Sequence, residues 1–548
     1  MATHEVSNQP LPLENYNAYA GDRALRETVV LEGGSVWEDK LLTYGEIAGA
    51  EILALGDPAN ASEPALRTHD RYGHRVDQVD FHPSYHRLME LGIGHGLASL
   101  TWTGKPGARI ARSALMYLHN QFEAGTMCPI TMTHAVIPSL RLQPDIAQIW
   151  EPRILASSYD SRFRPADDKS GVTFGMAMTE KQGGSDVRAN TTRAVALDQP
   201  GPGQPYELVG HKWFCSAPMS DAFLSLAQTS EGLSCFLIPR WRPDGSVNPI
   251  HIQRLKDKLG NLSNASAEIE FPGTWAQMIG DPGRGVATII RMVGETRLDC
   301  VLGSAALMRQ AVAQAVHHCS QRQAFGKRLV DQPLMMNVLA DLALESEAAL
   351  RLALHLARRF EQAAQGDEFS ERLARIATPV AKYWVCKRAV GVVNEAQECM
   401  GGAGYVEEFI LPRLYREAPV NAIWEGSGNI QCLDVLRALQ REPRCLDAVL
   451  AFLAPAADTS SDVRKVVDWL PRELADAASI QVKARRVVER LALALQAALL
   501  MQSGPGFAAA AFLQARLGPE RGLMFGQLSE HADVDALIER AQPLGETA

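Results

Sequence analysis

Residues 421–431, NAIWEGSGNIQ, place one carboxylate, Glu425, between the bulky aromatic Trp424 and the small residues 426–428. An aromatic neighbour excludes water from a carboxylate and raises its pKa, which makes a glutamate a usable base near neutral pH. Glycines also allow the backbone to approach a flat ligand closely. The segment is therefore compatible with a general base beside a planar ligand, and a glutamate that is only structural or solvated in a glycine-rich turn is the open alternative.

Two upstream segments carry donors and rings that suit such a ligand. In residues 178–186, MTEKQGGSD, the hydroxyl groups and the backbone amides at a strand end can serve phosphates and the polar edge of a flavin. Residues 211–216, HKWFCS, are predicted to form a strand whose alternation sends Trp213 and Cys215 to one face and Phe214 to the other. An aromatic ring there could stack on a flavin or could simply belong to the core.

Two further segments have side chains and amides that suit phosphates. Residues 322–332, RQAFGKRLVDQ, contain Arg322, which can pair with a pyrophosphate, and Phe325, which can cover an adenine ring. Residues 401–405, GGAGY, offer backbone N–H groups that no side chain blocks. A surface arginine and a core phenylalanine are the alternative interpretation of the first segment.

The order of these five segments resembles the flavin-dependent acyl-CoA dehydrogenase family. The resemblance implies FAD as cofactor, and Glu425 as the base that removes the α-proton of an acyl-CoA while a hydride leaves its β-carbon for flavin N5. It also implies that Arg297 is an active-site arginine, although a buried helix arginine paired with an acid of a helical bundle is an equal alternative. Glu398 departs from the glutamine common in the family and is not carried over. The residues that the resemblance assigns to FAD are Met178, Thr179, Gly184, Ser185, Trp213, Phe214, Ser216, Arg322, Phe325, Gln332, Gly401, Gly402, Trp424, Gly426, Gly428 and Asn429.

A longer set of segments is similar to one branch of this family, the flavoproteins of the bacterial adaptive response to DNA alkylation. It includes CPITMTHA, GHKWFCSAPMSDAF, LKDKLGNLSNAS and RLYREAPVNAIWEGSGN. This resemblance implies a homotetramer (a dimer of dimers), binding to double-stranded DNA and weak acyl-CoA oxidation. Two alternatives stay open: a metabolic acyl-CoA dehydrogenase that donates electrons to electron-transfer flavoprotein, and a DNA-coating protein in which FAD is only structural.

The elements that must position these residues follow from the length and the periodicity of the chain. At 548 residues, the chain suggests about three or four domains. Helical spacing of apolar residues, then short β-rich runs, then long helical spans predict an α+β fold. With the resemblance, the expected architecture is acyl-CoA dehydrogenase-like: an N-terminal helical domain (1–170), a small β-barrel or sandwich (171–282), a four-helix bundle with FAD and the catalytic residues (283–440) and an extra C-terminal helical domain (441–548).

Composition restricts the class of protein further. The net charge of −9 argues against a surface that is basic all over. The nine cysteines form no CxxC pair and no zinc spacing, which predicts no metal site and free buried thiols in a reducing cytoplasm. The N-terminus lacks a secretory signal. Residues 491–515 are long and uncharged, but their SGPG break predicts two short buried helices rather than a membrane span.

The C-terminal extension is the part that the resembling branch uses to bind DNA. In the extension's segment SIQVKARRVVERLALAL, Lys483, Arg486 and Arg490 form a basic stripe at i, i+3 and i+7, with Arg485 beside it. We predict that these four residues contact phosphates of double-stranded DNA without reading its sequence. A merely solvated helix face is the alternative, because residues 441–548 contain 12 basic and 14 acidic residues, for a net charge of −2.

Overall fold

The computed structural model describes residues 2–476, 478–519 and 521–544, which divide into two compact units. The barrel unit comprises Glu51–Lys105 and Glu123–Thr296. The helical unit comprises the described residues of Met1–Ala50, Pro106–Phe122 and Arg297–Ala548, and therefore includes the C-terminal extension. The division of the chain into four domains stays a prediction.

Eighteen α-helices account for about half of the described residues. They are α1 (Arg23–Leu31), α2 (Glu38–Ile47), α3 (Leu53–Ala61), α4 (Pro83–Gly94), α5 (Ala108–Asn120), α6 (Met127–Ala135), α7 (Ile137–Leu140), α8 (Pro144–Ile154), α9 (Gly285–Gln321), α10 (Pro333–Ala364), α11 (Glu368–Met400), α12 (Leu411–Glu417), α13 (Gly428–Arg441), α14 (Arg444–Thr459), α15 (Ser461–Leu474), α16 (Ile480–Ser503), α17 (Gly506–Phe512) and α18 (Val534–Ala541). Side chains of Asp22, Ser460 and Asp533 cap α1, α15 and α18 by accepting a backbone N–H. The predicted break lies at Gly504 and Pro505, although the helix before it is longer than expected, at 24 residues.

Eleven β-strands are present among the described residues. They are β1 (Ala65–His69), β2 (Arg75–Asp80), β3 (Phe174–Ala177), β4 (Arg193–Ala196), β5 (Pro205–Ser216), β6 (Ala222–Thr229), β7 (Gly232–Pro239), β8 (His251–Leu255), β9 (Ser266–Ile279), β10 (Gln323–Ala324) and β11 (Lys327–Arg328). Strands β3 to β9 form a seven-stranded sheet in the order β3-β6-β4-β5-β9-β7, with β8 paired to β9. Because β7 pairs with β6 as well as with β9, the sheet closes into a small barrel.

A bulge in β5 changes which of its residues face the barrel core. The register of β5 against β9 shifts between Lys212 and Cys215, and both of these residues are buried. Trp213 is half-buried, and Phe214 is 48% exposed. The prediction that Trp213 and Cys215 share one face was therefore wrong, because the extra residue of a bulge interrupts the two-residue alternation of a strand.

The helical unit is built on its long helices. Helix α10 lies against α11, which also contacts α13, α14 and α16. The thiols of Cys319 and Cys386 donate to the carbonyl oxygens of Cys399 and Cys300, which joins α9 to α11. Long helices that pack in this way bury the apolar stripes that their periodicity predicted.

Other features of the fold bear on the remaining sequence predictions. All nine cysteines are buried, and none forms a disulfide bond in the part of the chain that the structure describes. No helix among the described residues is long and apolar enough to cross a membrane. The hairpin of β1 and β2 was not predicted, since the N-terminal part of the chain was expected to be helical.

Candidate active site

Glu425 lies in a turn between a short 3-10 helix, Val420–Ala422, and α13. Its backbone has φ of 58°, and Gly426 follows with φ of 95°. The left-handed region is unfavourable for a residue with a Cβ atom, so surrounding groups must hold such a residue there. Strain of this kind is concentrated at functional sites, which supports the choice of this turn as the candidate site.

Side chains from three helices hold the backbone of this turn. The Lys382 ammonium of α11 donates to the carbonyl oxygens of Trp424 (2.6 Å) and Gly426 (2.7 Å). The carbonyl oxygen of Glu425 accepts from Nε of Arg297 (3.2 Å) and Nε2 of Gln431 (2.9 Å). Three successive carbonyl groups are therefore fixed by side chains. Neither Lys382 nor Gln431 was predicted, because a helix pattern does not show which residue reaches a distant turn.

Arg297 contacts both the Glu425 turn and a carboxylate of α13, while its role as an active-site arginine stays a prediction. Its guanidinium contacts the Glu425 turn and also pairs with Asp434 of α13 at 2.6 Å, where Arg375 is a second partner at 3.0 Å. Burial alone would raise the pKa of Asp434, but the charges of Arg297 and Arg375 outweigh burial and lower that pKa. Asp434 therefore stays ionised and holds the arginine beside the turn.

The other candidates next to Glu425 have separate contacts. The indole Nε1 of Trp424 donates to Asn421 at 3.0 Å. A Cβ atom at Gly428 would lie 2.7 Å from Cε of Lys387, so the Lys387 side chain would have to move to admit one. Asn429 is exposed and accepts from Nε of Arg485 at 2.9 Å. One predicted DNA contact is thus bonded to one predicted flavin contact.

A short hairpin of β10 and β11 carries the next flavin candidates. Arg322 follows the end of α9 and donates to the carbonyl oxygen of Asn8 at 2.5 Å. Phe325 lies at the tip of the hairpin with φ of 52°, and it is 98% exposed. Gln332 donates back to the carbonyl oxygen of Ala324 at 3.0 Å, which stabilises the hairpin.

The glycine segment after α11 is open to a ligand. Gly401 has φ of 60°, and neither Gly401 nor Gly402 has an atom within 4 Å of the position that a Cβ would take. Gln397 holds the segment by donating to the carbonyl oxygen of Gly404 at 2.9 Å. Glu398, which was not carried over, is exposed. These two glycines can therefore present backbone amides to a phosphate.

In the barrel unit, the two predicted flavin segments lie side by side. The backbone N–H of Trp213 donates to the carbonyl oxygen of Thr179 at 2.8 Å. Next to them, Lys212 and Glu180 form a fully buried ion pair at 2.8 Å, which joins the two segments. The role of this pair was missed, although Glu180 and Lys212 both stand inside the quoted motifs. The remaining candidates of these segments are Met178, half-buried, Gly184 and Ser185, both exposed, and Ser216, whose hydroxyl is 3.0 Å from that of Ser266.

Positively charged side chains lie close to the rings of Trp213 and Phe214. The Lys256 ammonium lies 3.3 Å from the centre of the Trp213 ring and 4.6 Å from that of Phe214. Lys181 and Arg254 lie within 6 Å of the same indole. Aromatic rings, hydroxyl donors, cations and open glycine amides are groups that suit a flavin dinucleotide, and each unit, taken by itself, offers some of them.

The four predicted DNA contacts differ in how their charges are compensated. Lys483 pairs with Glu473 and Asp476, and Arg486 pairs with Glu473 as well. Arg490 stacks over the Trp469 ring at 4.4 Å, and Arg485 bonds to Asn429 as described. The stripe is therefore partly neutralised. Three exposed arginines that were not predicted, Arg437, Arg441 and Arg444, have no carboxylate within 4 Å among the described residues.

Comparison with known proteins finds sequence and fold similarity over nearly the whole chain. Residues 8–161 match the family described as adaptive response protein AidB N-terminal domain, 175–274 the acyl-CoA dehydrogenase middle domain and 283–440 its C-terminal domain. AidB of Escherichia coli (strain K12) is 44% identical over 98% of this chain and 98% of its own length. The structure of ACDH-11 of Caenorhabditis elegans with C11-CoA is 27% identical, with a TM-score of 0.83, and covers 100% of this chain and 95% of its own. An acyl-CoA dehydrogenase of Bacillus anthracis complexed with FAD has the same fold, with 17% identity, a TM-score of 0.62 and coverage of 80% and 78% of the two chains.

These matches confirm the predicted fold class, the family and the FAD cofactor. The likeness to AidB extends through the C-terminal extension, because the identity covers almost the full chain. The chain belongs to the acyl-CoA dehydrogenase family, as an AidB-type member, and is an FAD-dependent oxidoreductase.

Proposed function

We propose that the protein oxidises an acyl-CoA thioester between its α and β carbons, with Glu425 as the base. The observation that carries this proposal is the left-handed turn at Glu425, held by Lys382, Arg297 and Gln431. A turn fixed at each successive carbonyl holds a carboxylate in a defined position, which proton transfer requires. ACDH-11, the relative crystallised with C11-CoA, supports an acyl-CoA as the ligand.

Each residue of the site has a separate task in this proposal. The Glu425 carboxylate takes the α-proton, and its own backbone N–H is one donor to the thioester oxygen. Arg297 fixes the carbonyl side of the same residue. Bound FAD supplies the acceptor for the hydride that leaves the β-carbon. Anaerobic addition of octanoyl-CoA tests the proposal directly, because the visible absorbance of the flavin should bleach in the wild-type protein and stay unchanged in the Glu425→Gln variant.

We also propose that the protein is a homotetramer, built as a dimer of dimers. Phe325, Leu334 and Tyr405 are 98%, 86% and 83% exposed, and such large apolar groups are typical of surfaces that a partner covers. Replacement of Phe325 by aspartate should reduce the assembly size and the FAD content in light scattering and absorbance measurements. Aspartate tolerates a positive φ, so the hairpin itself should persist. The control is Tyr72→Asp, at another exposed ring, and equal mass for all three proteins would contradict the proposal.

A role in the adaptive response to DNA alkylation, with binding to double-stranded DNA, is the finer part of the proposal. Its support is the AidB-type N-terminal domain and the uncompensated arginines Arg437, Arg441 and Arg444. Phosphate contacts make affinity fall with salt, at about 0.9 in the log–log slope for each contact. The buried thiols suit a reducing cytoplasm.

The DNA proposal predicts that Arg437, Arg441 and Arg444 contribute more to the affinity for DNA than the charge-paired Lys483 and Arg486 of the basic stripe. Replacing Arg437, Arg441 and Arg444 by alanine should weaken binding to an arbitrary duplex and reduce its salt slope by about 1 to 3. The matched variant, with Lys483 and Arg486 replaced by alanine, should change the slope less, because carboxylates already neutralise these side chains. Fluorescence anisotropy across a salt series measures both. No duplex binding by the wild type at low salt would favour a metabolic acyl-CoA dehydrogenase instead.

A further inference from the structure

Lys382 is a buried cation whose ammonium group has no carboxylate partner in the part of the chain that the structure describes. It lies in the middle of α11, its side chain is 1% exposed, and among the described residues no carboxylate oxygen lies within 4 Å of its ammonium group. Its two hydrogen bonds are to the carbonyl oxygens of Trp424 and Gly426. Burial of an ammonium group is unfavourable unless hydrogen bonds or an opposite charge compensate the loss of hydration. An apolar side chain would fill the same space without that cost.

The two acceptors of Lys382 lie on either side of Glu425 in the sequence. One nitrogen atom, at 2.6 Å from the first carbonyl oxygen and 2.7 Å from the second, fixes the peptide plane that enters Glu425 from Trp424 and the plane that leaves Gly426. Gln431 donates to the carbonyl oxygens of Glu425 and Gly426, whereas the carbonyl oxygen of Trp424 accepts from the Lys382 side chain. The ammonium group of Lys382, together with Arg297 and Gln431, therefore holds the left-handed backbone of Glu425.

We propose that Lys382 is a positioning residue, whose ammonium group clamps the backbone around Glu425 and so holds the carboxylate in place for proton abstraction. The inference rests on the proposed role of Glu425 as the base. Without the clamp, the turn relaxes toward the more common right-handed backbone, and the carboxylate moves away from its reactive position. A displacement of about 1 Å can reduce turnover by about 10²-fold while substrate binding is retained.

The test compares Lys382→Met, which keeps the length of the side chain and removes the donors, with Lys382→Arg, which keeps donors for two carbonyl groups. Lys465→Met, at an exposed lysine of α15, is the control for loss of a positive charge. Hydrogen exchange of the amides at 424–427 reports on the clamp independently of catalysis. Turnover of octanoyl-CoA, with ferricenium ion as the electron acceptor, reports on whether the Glu425 carboxylate is correctly placed.

For Lys382→Met, we expect faster exchange confined to the 424–427 turn, a fall in kcat of about 10- to 100-fold and a KM within about twofold of the wild type. Lys382→Arg should restore both readouts, and Lys465→Met should change neither. If Lys382→Met does not fold, Lys382→Gln should show the same local increase in exchange, because its amide is too short to reach both carbonyl groups. Unchanged exchange at the turn, or uniformly faster exchange through the helical unit, would overturn the proposal. Turnover retained by Glu425→Gln would remove the proposed base, but the exchange data would still decide whether Lys382 is a clamp.

Discussion

Glutamine in place of Glu425 is expected to lower kcat for octanoyl-CoA by about 10²- to 10⁴-fold, the range that a general base contributes. The amide has nearly the shape of the carboxylate but cannot take the α-proton. The bonds that Arg297 and Gln431 make at this position go to the backbone carbonyl oxygen, so they survive the substitution. FAD content and assembly size should therefore match the wild type, and single-turnover reduction of the flavin should be the step that slows.

The control for Glu425→Gln is the same substitution at Glu407. That residue is an exposed glutamate paired with Arg416 in the helical unit, and its loss should leave turnover unchanged. Equal rates of flavin reduction in wild type and Glu425→Gln, with both proteins fully loaded with FAD, would refute the assignment of the base. The protein would then fit a DNA-coating role in which FAD is only structural.

The candidate base could be found from the sequence because its motif is local. Trp424, Glu425 and Gly426 are consecutive, and together with the ordered upstream segments and the family resemblance they made Glu425 the candidate base. The groups that hold the turn could not be found in this way. Lys382 precedes Glu425 by more than forty residues, and in the sequence it is an ordinary lysine inside an amphipathic helix.

Contacts between residues that are distant in the sequence also limited the prediction of the strands and of the charge pairs. The short β-rich runs between residues 171 and 282 predicted β3, β5, β6, β7 and β9, but β4 and β8, which are four and five residues long, were missed. The bulge in β5 depends on its pairing with β9 and leaves no sign in the sequence of β5 alone. Helical spacing placed Lys483 and Arg486 on one stripe, but it could not show that Glu473 would neutralise both.

The C-terminal extension is joined to the long helices by buried charges, which affects how its role can be tested. Arg516 pairs with Asp341 and Glu345 of α10, where Arg388 is a further partner of Glu345. Burial would raise the pKa of Glu345, but these two arginines lower it to about 2. Removal of the extension would leave buried carboxylates with fewer partners, so point variants in the full-length protein are a safer test of DNA binding than truncation.

Methionine in place of Lys212 is expected to destabilise the barrel unit by about 3–5 kcal/mol, because it leaves the Glu180 carboxylate buried without its cation. Both side chains are fully buried, and the Lys212 ammonium also donates to the carbonyl oxygen of Leu226 at 2.8 Å. Since the pair joins the segments that contain Thr179 and Trp213, FAD content should fall along with stability. Urea unfolding followed by tryptophan fluorescence measures the first effect, and flavin absorbance after gel filtration measures the second.

A double variant separates the lost charge pairing from lost packing. Glu180→Gln together with Lys212→Met removes both charges, while the glutamine carbonyl can still accept from the amide of Thr191, so part of the stability should return. The pH dependence gives a second check. Burial would raise the pKa of Glu180, but the bond from Lys212 and those from the backbone amides outweigh it and hold that pKa well below its usual range. A lowered folded-state pKa contributes stability above the unfolded value of about 4.3, and this contribution disappears as the pH falls below it. The free energy of unfolding of the wild type should therefore exceed that of the double variant by less below about pH 4 than at neutral pH. A difference that grew as the pH fell would show that the pair does not stabilise the barrel through the ionised carboxylate.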